Sequence, residues 1–357
     1  GTVTGLAVGG LPDGTVDDGT LASSAVTEAK IATDAVTAAK IPASLENTFV
    51  SGRKNFITNG NMDVWQRGTP IATMAFGADR WKTYSTATGV ANYNVTNTQV
   101  ADNPISAGGY SYSVAVADTS TSIDFITVTQ LIEQANLTSI NTGDSLTLSF
   151  WIKKTRDLAS DATFKVMAMT PASSKDTWSS VQYQSTDSLV STPFSENYNS
   201  LSTSWVKKTA TFTVTANMVT RGLGLCFQIG DSNVTAGAGS TAEIYRFTAV
   251  QLEKGDTATD FEHRSYGEEL ALCQRYYWQP DAGVVYYLMQ YTTTHRMTQI
   301  QLPVTMRASP TVSYGVSAGS GYGDYNFKPS QISVYKASNY TAADTWHLTT
   351  LKVDSEL

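Results

Sequence analysis

The sequence predicts a mostly β chain in four parts: an N-terminal pentad-repeat trimeric stalk, a central antiparallel jelly-roll sandwich, a short helical neck and a C-terminal β domain. Three observations predict it. Apolar side chains recur at every fifth position from Leu6 to Ile41. Runs that alternate apolar and polar residues, separated by Gly, Asn, Asp and Ser, follow from about residue 50 to 262. Charged residues are only 15% of the 357, which suits a neutral-polar β surface better than a typical cytosolic enzyme.

The stalk is assigned to residues 1–45. Its stripe is Leu6, Leu11, Val16, Leu21, Val26, Ile31, Val36 and Ile41. A five-residue step scatters side chains around a helix and alternates them across a strand, so neither element collects all eight on one side. Short extended pieces joined by turns can, and Asp13-Gly14 and Asp18-Gly19 keep the same step. One apolar residue per pentad cannot build a core alone. Identical chains meeting around an axis can build one, most simply three. The alternative is a disordered linker rich in Ala, Thr and Gly.

Residues 46–262 read as strand after strand. Ser145-Leu-Thr-Leu-Ser-Phe-Trp-Ile152, Thr163 to Met169, Trp205 to Val214, Leu223 to Ile229 and Ala242 to Leu252 carry the pattern. About two hundred residues with this many strands fit a jelly roll. Trp65, Trp81 and Trp151 are read as core residues. Trp178, in a polar loop, is the sandwich tryptophan to test for ligand contact, the competing reading being a surface or interface role.

Two stretches are more specific. Asn55-Phe-Ile-Thr-Asn-Gly-Asn-Met-Asp-Val-Trp-Gln-Arg-Gly-Thr69, followed by Ala78-Asp-Arg-Trp81, resembles the opening of a domain common in bacteriophage tail-fibre proteins. Val250-Gln-Leu-Glu-Lys-Gly255 with Ala258-Thr-Asp-Phe-Glu262 resembles its close. Glu269 to Tyr277, Leu302 to Pro310, the terminus Val353-Asp-Ser-Glu-Leu357 and the Ala-Val-Thr-x-Ala-Lys-Ile units of the repeat are similar to other parts of such fibres. The resemblance implies a receptor-binding homotrimer on the virion, a sandwich like a carbohydrate-binding module, a host cell-surface polysaccharide as partner, and other virion proteins joined through an N-terminal attachment segment.

Residues 263–279 form the neck. Ser265 with Glu268 makes a capping box, so a helix starts there. Tyr266, Leu270, Cys273 and Tyr277 step by four, three and four, which gives a seam. That seam serves either a three-helix axis or packing on the chain's own sandwich. Residues 280–357 form the tip. A Gly-rich loop from Ser317 to Phe327 is expected there, carrying Tyr322, Tyr325 and Phe327; with Tyr340 and Trp346 these are the candidate sugar-facing aromatics. The competing reading buries them in a small core or a subunit interface.

Other chemistry finds little support. The net charge is −7 with no basic run, which argues against nucleic acid. No run of about 18 apolar residues exists to span a membrane. No secretory signal opens the chain, and Gly1 suggests a fragment or processed product. Cys226 and Cys273 give no disulfide framework. His263, His295 and His347 are scattered, and Gly315-Val-Ser-Ala-Gly319 lacks the following helix of a nucleophile elbow. No cofactor is expected; a structural calcium is the open alternative, left unassigned, with Asp63, Asp79 and Asp260 as candidate donors outside any EF-hand spacing. The chain is therefore read as a non-enzyme. Its rivals are a head fibre or capsid decoration protein, a glycan-depolymerising fibre, and the carbohydrate-binding module of a secreted enzyme.

Overall fold

In a computed structural model of the chain, the described residues are 53–357 apart from 70, 73–74, 88–89, 92–94, 106–108, 117–122, 159–161, 179–187, 231–241, 282, 291–294, 317–321 and 338–346. The stripe from Leu6 to Ile41 lies outside them. Residues Arg53–Leu357 form one unit.

The alternating runs become strands. In chain order they are β1 (Ile71–Ala72), β2 (Lys82–Ala87), β3 (Val90–Ala91), β4 (Val95–Val100), β5 (Ser111–Val116), β6 (Ile123–Ile132), β7 (Ser145–Lys154), β8 (Thr163–Thr170), β9 (Ser188–Asn197), β10 (Val206–Thr213), β11 (Leu223–Ile229) and β12 (Ala242–Lys254), with a short helix α1 (Ala216–Arg221) before β11. They pair into two six-stranded sheets. The first has the order β1-β4-β5-β12-β7-β10 and the second β3-β2-β6-β11-β8-β9. Their pairings are antiparallel.

One core holds the sheets together. Tyr112, Leu148, Phe150 and Phe247 of the first sheet face Ile126, Phe164, Leu225 and Phe227 of the second. Phe227 stacks on Phe247 with ring centroids 5.0 Å apart and meets Phe150 edge-on at 5.2 Å. Trp81 sets its edge against both Phe227 and Phe247. Burying each such ring is worth about 1.5–3 kcal/mol before the packing terms are added.

The segment from Asn55 to Trp81 closes one end through polar knots. The Asn59 side chain donates to the Val64 and Asp79 carbonyls and accepts from the Val64 N–H. The indole of Trp81 donates to the Asn59 carbonyl at 3.1 Å. Asn59 has φ 55, a left-handed conformation that Asn tolerates better than most residues. Gly60 approaches the Val250 carbonyl so closely that a Cβ there would lie 2.2 Å from its oxygen. No side chain fits at that position.

The capping box forms as expected. Glu268 N–H donates to Ser265 Oγ, Ser265 N–H donates to the Glu268 carboxylate, and α2 runs Tyr266–Gln274. Cys273 and Tyr277 are buried within their own chain, which removes both from an axial seam. Leu270 is half-buried and Tyr266 is 60% exposed.

The last part contains β13 (Tyr277–Trp278), β14 (Tyr286–Tyr287), β15 (Met289–Gln290), β16 (His295–Gln301), β17 (Thr311–Val316), β18 (Tyr322–Lys328), β19 (Gln331–Ala337) and β20 (His347–Asp354). One sheet has the order β13-β20-β14, with β17 also on β20; the other is β15-β16-β19-β18. A second core of Trp278, Leu288, Ile332, Val334, Leu351 and Val353 lies with them. The expected loop is corrected here: its second half, from Tyr322 to Phe327, belongs to strand β18 paired to β19. Pairing to an available edge overrides the weak strand preference of a Gly-containing run.

A charged junction ties this part to the sandwich. The Arg80 guanidinium pairs with Glu356 and lies over the Tyr276 ring, 3.4 Å from its centroid. Arg67 lies 3.5 Å from the Tyr277 centroid and reaches Asp79, Asp354 and Glu356. Burial pushes the Asp79 carboxyl up to about 7, although Arg67 and Gln66 pull it down. Among the described residues, no helix is long and apolar enough to cross a membrane.

Candidate functional site

Strand parity builds the site. On β7, Leu146, Leu148, Phe150 and Ile152 are buried in the core. Ser149, Trp151 and Lys153 therefore belong to the opposite, outer face. This corrects the reading of Trp151 as a core residue; Trp81 is fully buried, and Trp65 packs half-buried against the core. The signal was present in the sequence: Trp151 has the parity of Ser149, while Phe150 has that of Leu148.

Neighbouring strands extend the face. Trp151 pairs with Lys207 on β10 and with Thr248 on β12. Between Thr248 and Gln251 the register against β7 slips. Ala249 sits in this bulge with φ 52. The Asn55–Gly60 segment holds it: Asn55 Nδ2 donates to the Val250 carbonyl, and Val250 N–H donates to the Gly60 carbonyl. Bulges of this kind bend a strand and re-aim its side chains.

The chain after β12 then crosses this face. Two buried side chains pin it. Glu253 accepts from the N–H and hydroxyl of Thr259 at 2.9 and 2.6 Å. Gln251 accepts from the Glu262 N–H at 2.8 Å and donates to the Asp260 carbonyl at 3.2 Å. Phe261 and His263 meet edge-on with ring centres 5.2 Å apart.

The result is a cleft of about 290 Å³ lined by Ile105, Ser149, Trp151, Lys207, Ala249, Asp260, Phe261 and His263. Lys207 Nζ donates to the Thr259 carbonyl at 3.1 Å. The cleft combines two aromatic side chains and an imidazole with an ammonium, a hydroxyl and one carboxylate. Apolar surface with a few convergent polar groups is how proteins hold small organic ligands. Aromatic faces suit the C–H faces of sugars, and the polar groups suit their hydroxyls.

A charged cluster continues the same face. Asp102 accepts from Lys153 at 2.5 Å, Arg246 at 2.7 Å and the Trp205 indole at 3.0 Å. Burial acts to raise the Asp102 carboxyl, but these donors outweigh it and hold the group at about 2.

Of the candidate ligand-binding residues singled out from the sequence, only Asp260 lines this cleft. Trp178 is half-buried against Met167, Met169 and Cys226, on the second sheet. Tyr322 and Tyr325 sit on β18, and Phe327 packs half-buried on the second core. Tyr340 and Trp346 lie outside the described residues. Asp63 bonds Asn61, Asp79 is engaged by Gln66 and Arg67, and Asp260 lines the cleft. Among the described residues, no three His, Cys, Asp or Glu side chains converge to hold a metal ion, so the three aspartates do not form one donor set.

No family model matches this sequence, and no curated protein matches it. Solved structures with partial likeness include the enzymatically active domain of tailspike protein 4 of bacteriophage CBA120, at 16% identity and TM-score 0.31, covering 56% of this chain and 21% of that one. A carbohydrate-binding module from the β-sandwich superfamily matches at 13% identity and TM-score 0.33, covering 57% of this chain and 61% of that one. A Stig cyclase, Fisc from Fischerella sp. TAU, matches at 14% identity and TM-score 0.33, covering 57% and 98%. Likenesses at these TM-scores define neither a family nor an activity for this chain.

Proposed function

We propose that the chain is a non-enzymatic virion fibre that binds a host cell-surface glycan through the outer face of its sandwich. The observation that carries the glycan reading is the cleft of Trp151, Phe261, His263, Lys207 and Ser149 on that face. Its volume is at the low end of ligand sites, which begin near about 300 Å³, and suits one or two sugar rings. Asp260 is the one carboxylate among its described lining residues. Glycoside hydrolysis ordinarily takes a pair, so the cleft favours binding over cleavage.

The fibre reading draws on the pentad stripe and the resemblance of Asn55 to Trp81. The two-sheet sandwich is taken as a jelly roll, and three chains joined by their stripes as the assembly. Three weak clefts on one particle gain avidity, about 10²–10⁴ over a single site when geometry lets them engage together. An array of bacterial surface oligosaccharides probed with the full chain tests the reading. Binding to one glycan class without release of shorter products supports it. Binding to no glycan, or release of shorter products, contradicts it.

A further inference from the structure

The cleft on the first sheet leaves one charge unanswered. It lies over three adjacent strands, β12, β7 and β10, and the cations of these strands are paired almost throughout. On β7, Lys153 pairs with Asp102 and Lys154 with Asp157. On β12, Arg246 pairs with Asp102 and Glu243, and Lys254 with Asp144. On β10, Lys208 reaches Glu196 at 2.6 Å. Lys207 is the exception. Its ammonium donates to the Thr259 carbonyl, a neutral acceptor, and among the described residues no carboxylate lies within ion-pair reach of it. An ammonium has three donors, so two remain for whatever enters the cleft.

Ser149 faces the same space. It is 3% exposed, stands on the outward parity of β7 and lines the cleft. No described residue gives its hydroxyl a hydrogen-bond partner. Lys207 is paired in register with Trp151, two residues from Ser149 on the same face. The ammonium and the hydroxyl therefore open beside the indole on which a sugar ring would rest.

These donors answer the two oxygens of a carboxylate, and one unpaired positive charge matches one negative charge. Asp260, exposed in the same lining, repels a group of higher charge such as a phosphate monoester. We infer that the cleft selects an acidic sugar, with its carboxylate held by Lys207 and Ser149 and its ring against Trp151. The inference rests on the reading of the cleft as a glycan site.

The test uses the full chain and bacterial surface oligosaccharides that contain uronic acids. Each is presented in two forms, native and with its carboxyls reduced to hydroxymethyl groups, which removes the charge and keeps the ring. The expected result is binding of native forms that falls about tenfold or more on reduction. Lys207→Met, which keeps an unbranched stem without the ammonium, should abolish that difference, and Lys207→Arg should retain it. Lys208→Met, on the opposite face of β10, should retain it as well. Equal binding of the two forms, a difference that survives Lys207→Met, or one lost equally in Lys208→Met overturns the acidic-sugar contact and leaves the glycan reading standing. Binding to no glycan, acidic or neutral, overturns both.

Discussion

The two sheets of the sandwich share a core but treat their outer faces differently. On the second sheet, β11 is buried along its whole length, and Met167, Met169 and Cys226 pack under Trp178. Thr127, Thr129 and Gln228 are buried as well, as are Thr147, Ser149 and Gln251 on the first sheet. On the first sheet, β10 keeps a polar, accessible pattern, and Trp151 lines an open cleft. Each sheet thus has a tryptophan beyond the shared core. Trp178 packs on its sheet, and Trp151 lines the cleft. The polarity of a loop therefore does not say which face its tryptophan joins or what it touches there.

The largest test of this comparison is the shared core. Phe227→Ala, which strips the ring that meets Trp81, Phe150 and Phe247, should cost about 3–5 kcal/mol in denaturant unfolding. A small loss would mean that the sheets are not held by one aromatic core. Trp151→Ala should instead leave the unfolding midpoint nearly unchanged while reducing glycan affinity tenfold or more, about 1.4 kcal/mol. Ala249→Gly should stabilise slightly: a non-glycine residue in the left-handed region costs roughly 1–2 kcal/mol, so a gain of about 1 kcal/mol is expected in the same unfolding assay. A loss would mean that the Ala249 methyl contributes more packing than its strain costs.

A separate test of the charged junction concerns pH. Asp79 titrates near 7 in the folded chain and at about 3.9 when unfolded. The folded state therefore holds the extra proton between these values, and this group's contribution to stability is full below about 4 and falls as pH rises to about 7. Asp79→Asn should flatten the dependence of Tm on pH across that window. An unchanged slope would assign it to other groups.

Much of the sandwich was legible because its strands alternate. The runs at Ser145, Thr163, Leu223 and Ala242 all became strands, and Ser265 with Glu268 capped the helix where the spacing required. The cleft was half legible. Trp151 carried its address in the parity of β7, yet an aromatic residue in an apolar run was assigned to the core. Phe261, His263 and Ala249 had no local signal. They converge because Gln251 and Glu253 pin the returning chain and because the Asn55–Gly60 segment fixes a bulge nearly two hundred residues away in sequence. Such long-range hydrogen bonds leave no periodicity. The Gly-rich stretch before Phe327 misled for the same reason: β19 supplied a partner that composition does not announce.

The most direct test sets the two tryptophans against each other. A titration of the best oligosaccharide from the array into the full chain, into Trp151→Ala and into Trp178→Ala measures which face binds. Loss of binding in Trp151→Ala with binding kept in Trp178→Ala is the predicted result. Binding kept in Trp151→Ala and lost in a folded Trp178→Ala would contradict the cleft on the first sheet and move recognition to the second.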